Sequence, residues 1–121
     1  MAFSDPQSVT VSTVAYPLLR VNTGTTGGRF VSADAVRELT IDPRGSAKRR
    51  RNVGRFFTKR TVLDPLGSGL STVVQSMVSI TIDRPNSGVT DAEVLADLLG
   101  AIKWLTDTSN ANAAKLIAGE N

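Results

Sequence analysis

The chain has 121 residues, no cysteine and no histidine, and 14 Lys and Arg against 11 Asp and Glu, so one domain with a core independent of disulfide or metal staples is expected. Without Cys and His, thiol redox chemistry, Cys nucleophiles, Ser–His triads, histidine acid–base catalysis and most zinc or iron sites fall away; no enzyme, metal or other cofactor is expected. A hydrophobic content of 40% against 21% charged residues argues against disorder.

No apolar run approaches the roughly 18 residues of a membrane span, and Met1–Pro6 lacks the basic and apolar regions of a secretory signal. The expectation is a soluble protein made and used without translocation, in which the missing cysteines are compatible with a reducing compartment.

In chain order, Val9, Val11, Ala15 and Tyr16 with interleaved Ser and Thr predict period-two strands, as does Leu18–Val21. Thr23–Gly28 is a turn signal, and a short strand is expected at Arg29–Ser32. Arg37–Asp42 alternates, with Leu39 and Ile41 on one face and Glu38, Thr40 and Asp42 on the other. Pro43–Ala47 is expected to break that strand, the basic tetrad Lys48–Arg51 to follow as part of a turn, and a second strand to run from about Val53 to Leu63.

Asp64–Leu70 reads as a flexible loop with two glycines and a proline. The longest strand is expected at Thr72–Ile82, with Val74, Val78, Ile80 and Ile82 on one face and Val73, Gln75, Met77, Ser79 and Thr81 on the other. Short connections between such strands predict an antiparallel meander.

Asp83–Gly88 reads as a loop, after which the period changes. Thr90-Asp91-Ala92-Glu93 is a capping box, and Val94, Leu95, Leu98, Leu99, Ile102 and Leu105 recur at helical spacing. Thr106–Asn110 interrupts, and a weaker helix is expected from Ala111 to Ala118, with Leu116 and Ile117 as its few apolar residues. The fold class is therefore α+β: an N-terminal β-hairpin and antiparallel sheet, then two C-terminal α-helices, in one domain over 1–121 with a sheet region at 1–82 and a helical region at 89–118.

The charge is unevenly spread. Residues 1–36 balance; 37–60 hold nine bases against Glu38 and Asp42, a local +7; 61–121 hold Arg84, Lys103 and Lys115 against seven acids, a local −4. A basic block on an otherwise neutral-to-acidic domain is the footprint of a polyanion site, although a solvated arginine-rich loop has the same composition. One helical stripe cannot cover a sheet of six or seven strands, so a homodimer is expected to complete the packing. Its contacts would include Leu95, Leu98, Leu99, Ile102, Leu105, Leu116 and Ile117.

This order of elements resembles the coat proteins of single-stranded RNA bacteriophages, the leviviruses. The resemblance is carried by Arg37–Ile41, the basic segment and Val53–Lys59, and by Val78–Pro85 leading into Gly88–Glu93 and the Leu-rich helix. It spans the whole chain as architecture, through loose motifs.

The resemblance implies an interlocked homodimer that assembles into an icosahedral shell around the single-stranded viral genome. The inner face of the sheet would bind RNA and, in many members, repress replicase translation at an RNA hairpin; the protein would reside in the virion after assembly in the bacterial cytoplasm. Carried over by position, RNA contacts fall on Thr40, Lys48, Arg49, Arg50, Arg51, Arg55, Lys59, Gln75 and Met77. A one-residue slip in register would put Thr58 and Arg60 in place of their neighbours.

Asp64, Pro65, Leu66, Gly67, Ser68, Gly69 and Leu70 would form the loop that gathers at the symmetry axes. The chain departs from the family in lacking a tyrosine on the long strand, on which members that read a hairpin stack a base; Phe56 and Phe57 are the nearest replacements, and one of them should face the core. The basic block alone fits a small cellular nucleic-acid-binding module equally well.

Overall fold

A computed structural model describes residue 3 and residues 5–21, 27–63, 66, 67 and 69–120. Six strands, β1 (Gln7–Val11), β2 (Val14–Arg20), β3 (Gly28–Val31), β4 (Arg37–Gly45), β5 (Arg49–Leu63) and β6 (Ser71–Pro85), form one sheet in sequential order. One helical element, α1 (Asp91–Ala118), follows. The chain divides into two compact units, Met1–Asp83 and Arg84–Asn121.

In the first unit, β1 and β2 are joined by Ser12-Thr13, both at positive φ (50° and 70°), the two-residue geometry whose twist matches that of the strands. Most of the predicted Thr23–Gly28 turn lies outside the described residues. Between β3 and β4, Asp34 Oδ1 accepts from Ser32 Oγ at 2.6 Å and from the Val36 N–H at 3.1 Å, a side chain-capped turn.

Pairing places Phe30 opposite Leu39 and Leu39 opposite Phe56, so these three share one face. Phe30 and Leu18 are completely buried. On this face Arg20 lies over the Phe30 ring at 4.8 Å, and Arg37 over Tyr16 at 3.7 Å.

Three strand boundaries differ from those expected. Pro43 does not end β4, which continues to Gly45 and pairs Pro43 with Asn52. Among the described residues β3 pairs with β4 only as far as Ile41, so Pro43 lies beyond that pairing, the setting in which proline is tolerated. Arg49, Arg50 and Arg51 belong to β5 rather than to a turn, and β6 runs through the predicted loop residues Asp83–Pro85. Among the described residues the sheet has six strands.

In the second unit, Thr90 caps α1 and accepts from the Glu93 N–H at 3.3 Å, as the capping box predicts. Arg84 binds Asp91 in the first turn and donates to the Val89 carbonyl at 3.1 Å. Asp107–Asn110 leave helical geometry, with Thr108, Ser109 and Asn110 in the left-handed region, so α1 is one element with a break at the predicted interruption.

Just before the break Thr106 Oγ1 donates to the Ile102 carbonyl at 3.1 Å, and Asn112 Nδ2 reaches across it to the Trp104 carbonyl at 2.8 Å. Gly119, at φ 76°, ends α1, and the following N–H bonds back to the Lys115 carbonyl at 3.0 Å. Thr90→Ala is expected to cost about 1 kcal/mol, read as a lower midpoint in denaturant unfolding.

Candidate nucleic-acid interface

The site grows from the β4–β5 hairpin. Ser46 closes it: its N–H donates to the Arg49 carbonyl at 2.8 Å, and its Oγ accepts from the Arg49 N–H at 3.1 Å. The loop is thus short, and the arginines after it enter a strand in continuous register from Gly45↔Arg50 to Arg37↔Thr58. In a strand, successive side chains take opposite faces, so the basic block is divided.

One face carries Thr40 opposite Arg55, Arg44 opposite Arg51, Asp42 opposite Val53 and Glu38 opposite Phe57; Arg29 of β3 stands opposite Thr40. Asp42, Arg44, Arg51, Val53 and Arg55 line a shallow open concavity of about 410 Å³ with Met77, Ser79 and Thr81 of β6. By alternation Arg49, Lys59 and Gln75 share this face.

Seven of the predicted RNA contacts, Thr40, Arg49, Arg51, Arg55, Lys59, Gln75 and Met77, are therefore brought onto one surface. Arg50 projects from the opposite face and Lys48 sits in the exposed hairpin loop. The slipped register is not adopted: Thr58 is buried opposite Arg37, and Arg60 shares its side of β5.

Three acids on the basic face each hold an arginine. Arg29 grips Glu38 through two bonds, Nε to Oε1 at 2.6 Å and Nη2 to Oε2 at 3.2 Å. Asp42 takes Arg44 Nε at 2.9 Å with Arg55 at 3.9 Å, and Asp83 takes Arg49 Nε at 3.0 Å. Among the described residues Arg51 and Lys59 have no ion pair.

The surface is thus net positive but internally tethered. Val53, buried on this face, lines the same concavity as Arg44, Arg51 and Arg55. Sequence reasoning did not single out Arg29 and Arg44 for this face; alternation within β4 extends to Arg44, whereas Arg29 required the β3–β4 pairing.

The Arg29 bond holds the Glu38 carboxyl below the usual range, against a smaller opposing effect of burial, and the same pair raises Arg29. Asp34 is lowered by the Ser32 hydroxyl and then by the Val36 N–H. A depressed folded-state carboxyl contributes stability that is complete at neutral pH and lost as pH falls through its folded value. The melting temperature is therefore expected to fall on acidification below about pH 4, and Glu38→Gln should flatten that part of the profile.

Of the predicted symmetry-axis loop, Leu66, Gly67, Gly69 and Leu70 are described and exposed, with both glycines at positive φ (71° and 73°); Asp64, Pro65 and Ser68 lie outside the described residues. In α1 no residue is buried: Leu95, Leu99, Ile102, Leu116 and Ile117 are exposed, and Leu98 and Leu105 half-buried. Val74, Val78 and Ile80 of β6 are exposed as well.

No protein-family model and no curated protein matches the chain. Solved structures do. A virus-like particle of bacteriophage AVE019 is 17% identical with a TM-score of 0.82, over 98% of this chain and 97% of that one. A virus-like particle of Beihai levi-like virus 21 is 12% identical with a TM-score of 0.73, over 96% and 94%. An unassembled virus coat protein dimer, described as a bacteriophage RNA-binding dimer, is 14% identical with a TM-score of 0.62, over 97% and 95%. Six antiparallel strands followed by a C-terminal helical element thus give this chain, over nearly its whole length, the fold of the levivirus coat proteins.

Proposed function

We propose that this chain is a viral coat protein that forms homodimers, assembles from them into an icosahedral shell and packages single-stranded RNA against the basic face of its sheet. The observation that carries this reading is the division of labour between surfaces. Arg51, Arg55 and Lys59 project from one sheet face, while Val74, Val78 and Ile80 of β6 and Leu95, Leu99 and Ile102 of α1 are exposed among the described residues.

Exposed apolar residues in such numbers mark an association surface, and arginines in a row neutralise phosphates in a sequence-tolerant, salt-sensitive way. The full-length likeness to coat proteins of virus-like particles and to an RNA-binding coat dimer supports both halves.

In this reading the helical units of two copies interlock, with Leu98, Leu105, Leu116 and Ile117 joining the contact. The sheet and helical units then form one coat-protein domain completed by its partner. The glycine loop between β5 and β6 sits at the symmetry axes, where varied backbone angles are needed. Shells form in the bacterial cytoplasm and the protein ends in the virion; its work is assembly rather than catalysis. The same sheet face would serve any repression of replicase translation.

The chain expressed alone and passed through size-exclusion chromatography and negative-stain microscopy tests this. Uniform shells with nucleic-acid absorbance are expected. A stable single-chain species at high concentration would overturn it in favour of a small nucleic-acid-binding module.

A further inference from the structure

Resting on the RNA-binding reading, we propose that Asp42 is an internal competitor for RNA phosphate: its carboxylate holds arginines of the empty face and yields them to the phosphates of a bound strand. The register puts this one acid in the middle of three arginines. On its own strand Arg44 is two residues on; across the hairpin its direct partner is Val53, with Arg51 and Arg55 at the two diagonal positions of the same face. Diagonal neighbours stand about 7–8 Å apart, within reach of side chains as long as arginine. All four charged residues line the same concavity.

The acid is engaged through one oxygen. Oδ2 accepts from Arg44 Nε at 2.9 Å and stands 3.9 Å from Arg55 Nη1. The Arg44 side chain is nevertheless 76% exposed, so its guanidinium is open to an incoming anion. A pair this exposed adds little to stability, and a phosphate offers a guanidinium the same charge-assisted acceptors as a carboxylate. Exchange of one for the other is therefore close to balanced. A strand already seated on Arg51 and Lys59 presents its next phosphate at high effective concentration, which tips the exchange toward RNA. The other two acids of the face are placed differently: Glu38 is gripped at both oxygens by Arg29, and among the described residues Asp83 has an ion pair with Arg49 only. Asp42 thus sets the affinity of the face below what its arginines would give unopposed.

The test is fluorescence anisotropy across a salt series, with short single-stranded RNA as the probe, on wild type, Asp42→Asn, Asp34→Asn, Arg44→Ala and the double variant Asp42→Asn with Arg44→Ala. Asp42→Asn is expected to tighten binding about fivefold and to steepen the slope of log affinity against log salt by about 0.7, the increment for one more neutralised phosphate of a single strand. Asp34→Asn removes the same charge from the turn at the other end of β4 and keeps a turn-capping side chain; it should leave the slope close to wild type. In the Arg44→Ala background the Asp42→Asn change should gain only about twofold, because the cation it releases is gone.

If wild type binds RNA and Asp42→Asn binds no tighter, or Asp34→Asn tightens binding as much, the competitor is overturned while packaging stands. A lower melting temperature with unchanged affinity and slope is the signature of a merely structural carboxylate and overturns it equally. If neither wild type nor Asp42→Asn binds RNA, the RNA-binding reading itself fails, and the competitor with it. Should Asp42→Asn not fold, Asp42→Thr, a residue suited to strands, is read by the same criteria.

Discussion

Alanine at both Arg51 and Arg55 is expected to lower the slope of log affinity against log salt for single-stranded RNA by about 1.4, whereas alanine at both Arg50 and Arg60 leaves it close to wild type. The two double variants remove the same charge from the same strand, so the general attraction between a cationic protein and RNA falls equally in both. They differ only in face. Arg51 and Arg55 line the concavity with Met77 and Ser79, while Arg50 and Arg60 project from the side of β5 that carries Phe56 and Thr58.

Arg51 should dominate the affinity change, since it has no acid partner among the described residues. Arg55 shares Asp42 with Arg44 at the longer distance of 3.9 Å. Anisotropy titrations across a salt series, with matched measurements of RNA content in purified particles, read the difference. Equal slopes for the two variants would move the RNA site off this face.

Leu99→Asp is expected to abolish shells and leave small species in size-exclusion chromatography. In the single chain Leu99 is 55% exposed, and a polar replacement at so open a site normally changes stability by no more than about 0.5 kcal/mol. If instead α1 packs against a second copy, the new carboxylate is buried without a partner, at a cost of several kcal/mol per chain. That cost is repeated at every dimer of a shell. Retained helix content by circular dichroism together with lost particles is the expected combination. Intact particles would exclude this face of α1 from the assembly contact.

Much of the fold was legible because its signals are local. Alternation of Glu38, Thr40 and Asp42 with Leu39 and Ile41 marks β4 whatever surrounds it, and Thr90 with Glu93 announces a helix start from four residues. The run Thr106–Asn110 interrupts α1 for reasons contained in those side chains. The boundaries that failed depend on neighbours. Pro43 would end a central strand but is tolerated beyond the pairing with β3, which among the described residues stops at Ile41. The basic tetrad looked like a turn because charge and turn propensity coincide in composition; its assignment to β5 rests on how tightly Ser46 closes the hairpin.

The site was half legible for the same reason. Charge counting located the basic segment, a property of the chain that no folding alters. It could not say which arginines act together, since that requires the register of three strands. Arg49 and Asp83, 34 residues apart, meet at 3.0 Å only through the sheet, and Arg29 meets Glu38 only across β3 and β4.

The amino-acid sequence by itself determined a small cysteine- and histidine-free chain whose positive charge is concentrated in one segment and whose C-terminal part carries an apolar stripe at helical spacing. The tertiary structure decided which side of the sheet each base occupies and that Phe57, not Phe56, shares the basic face. Propensity and charge are carried by single residues and their near neighbours, whereas a face is defined only when strands distant in sequence pair in one register.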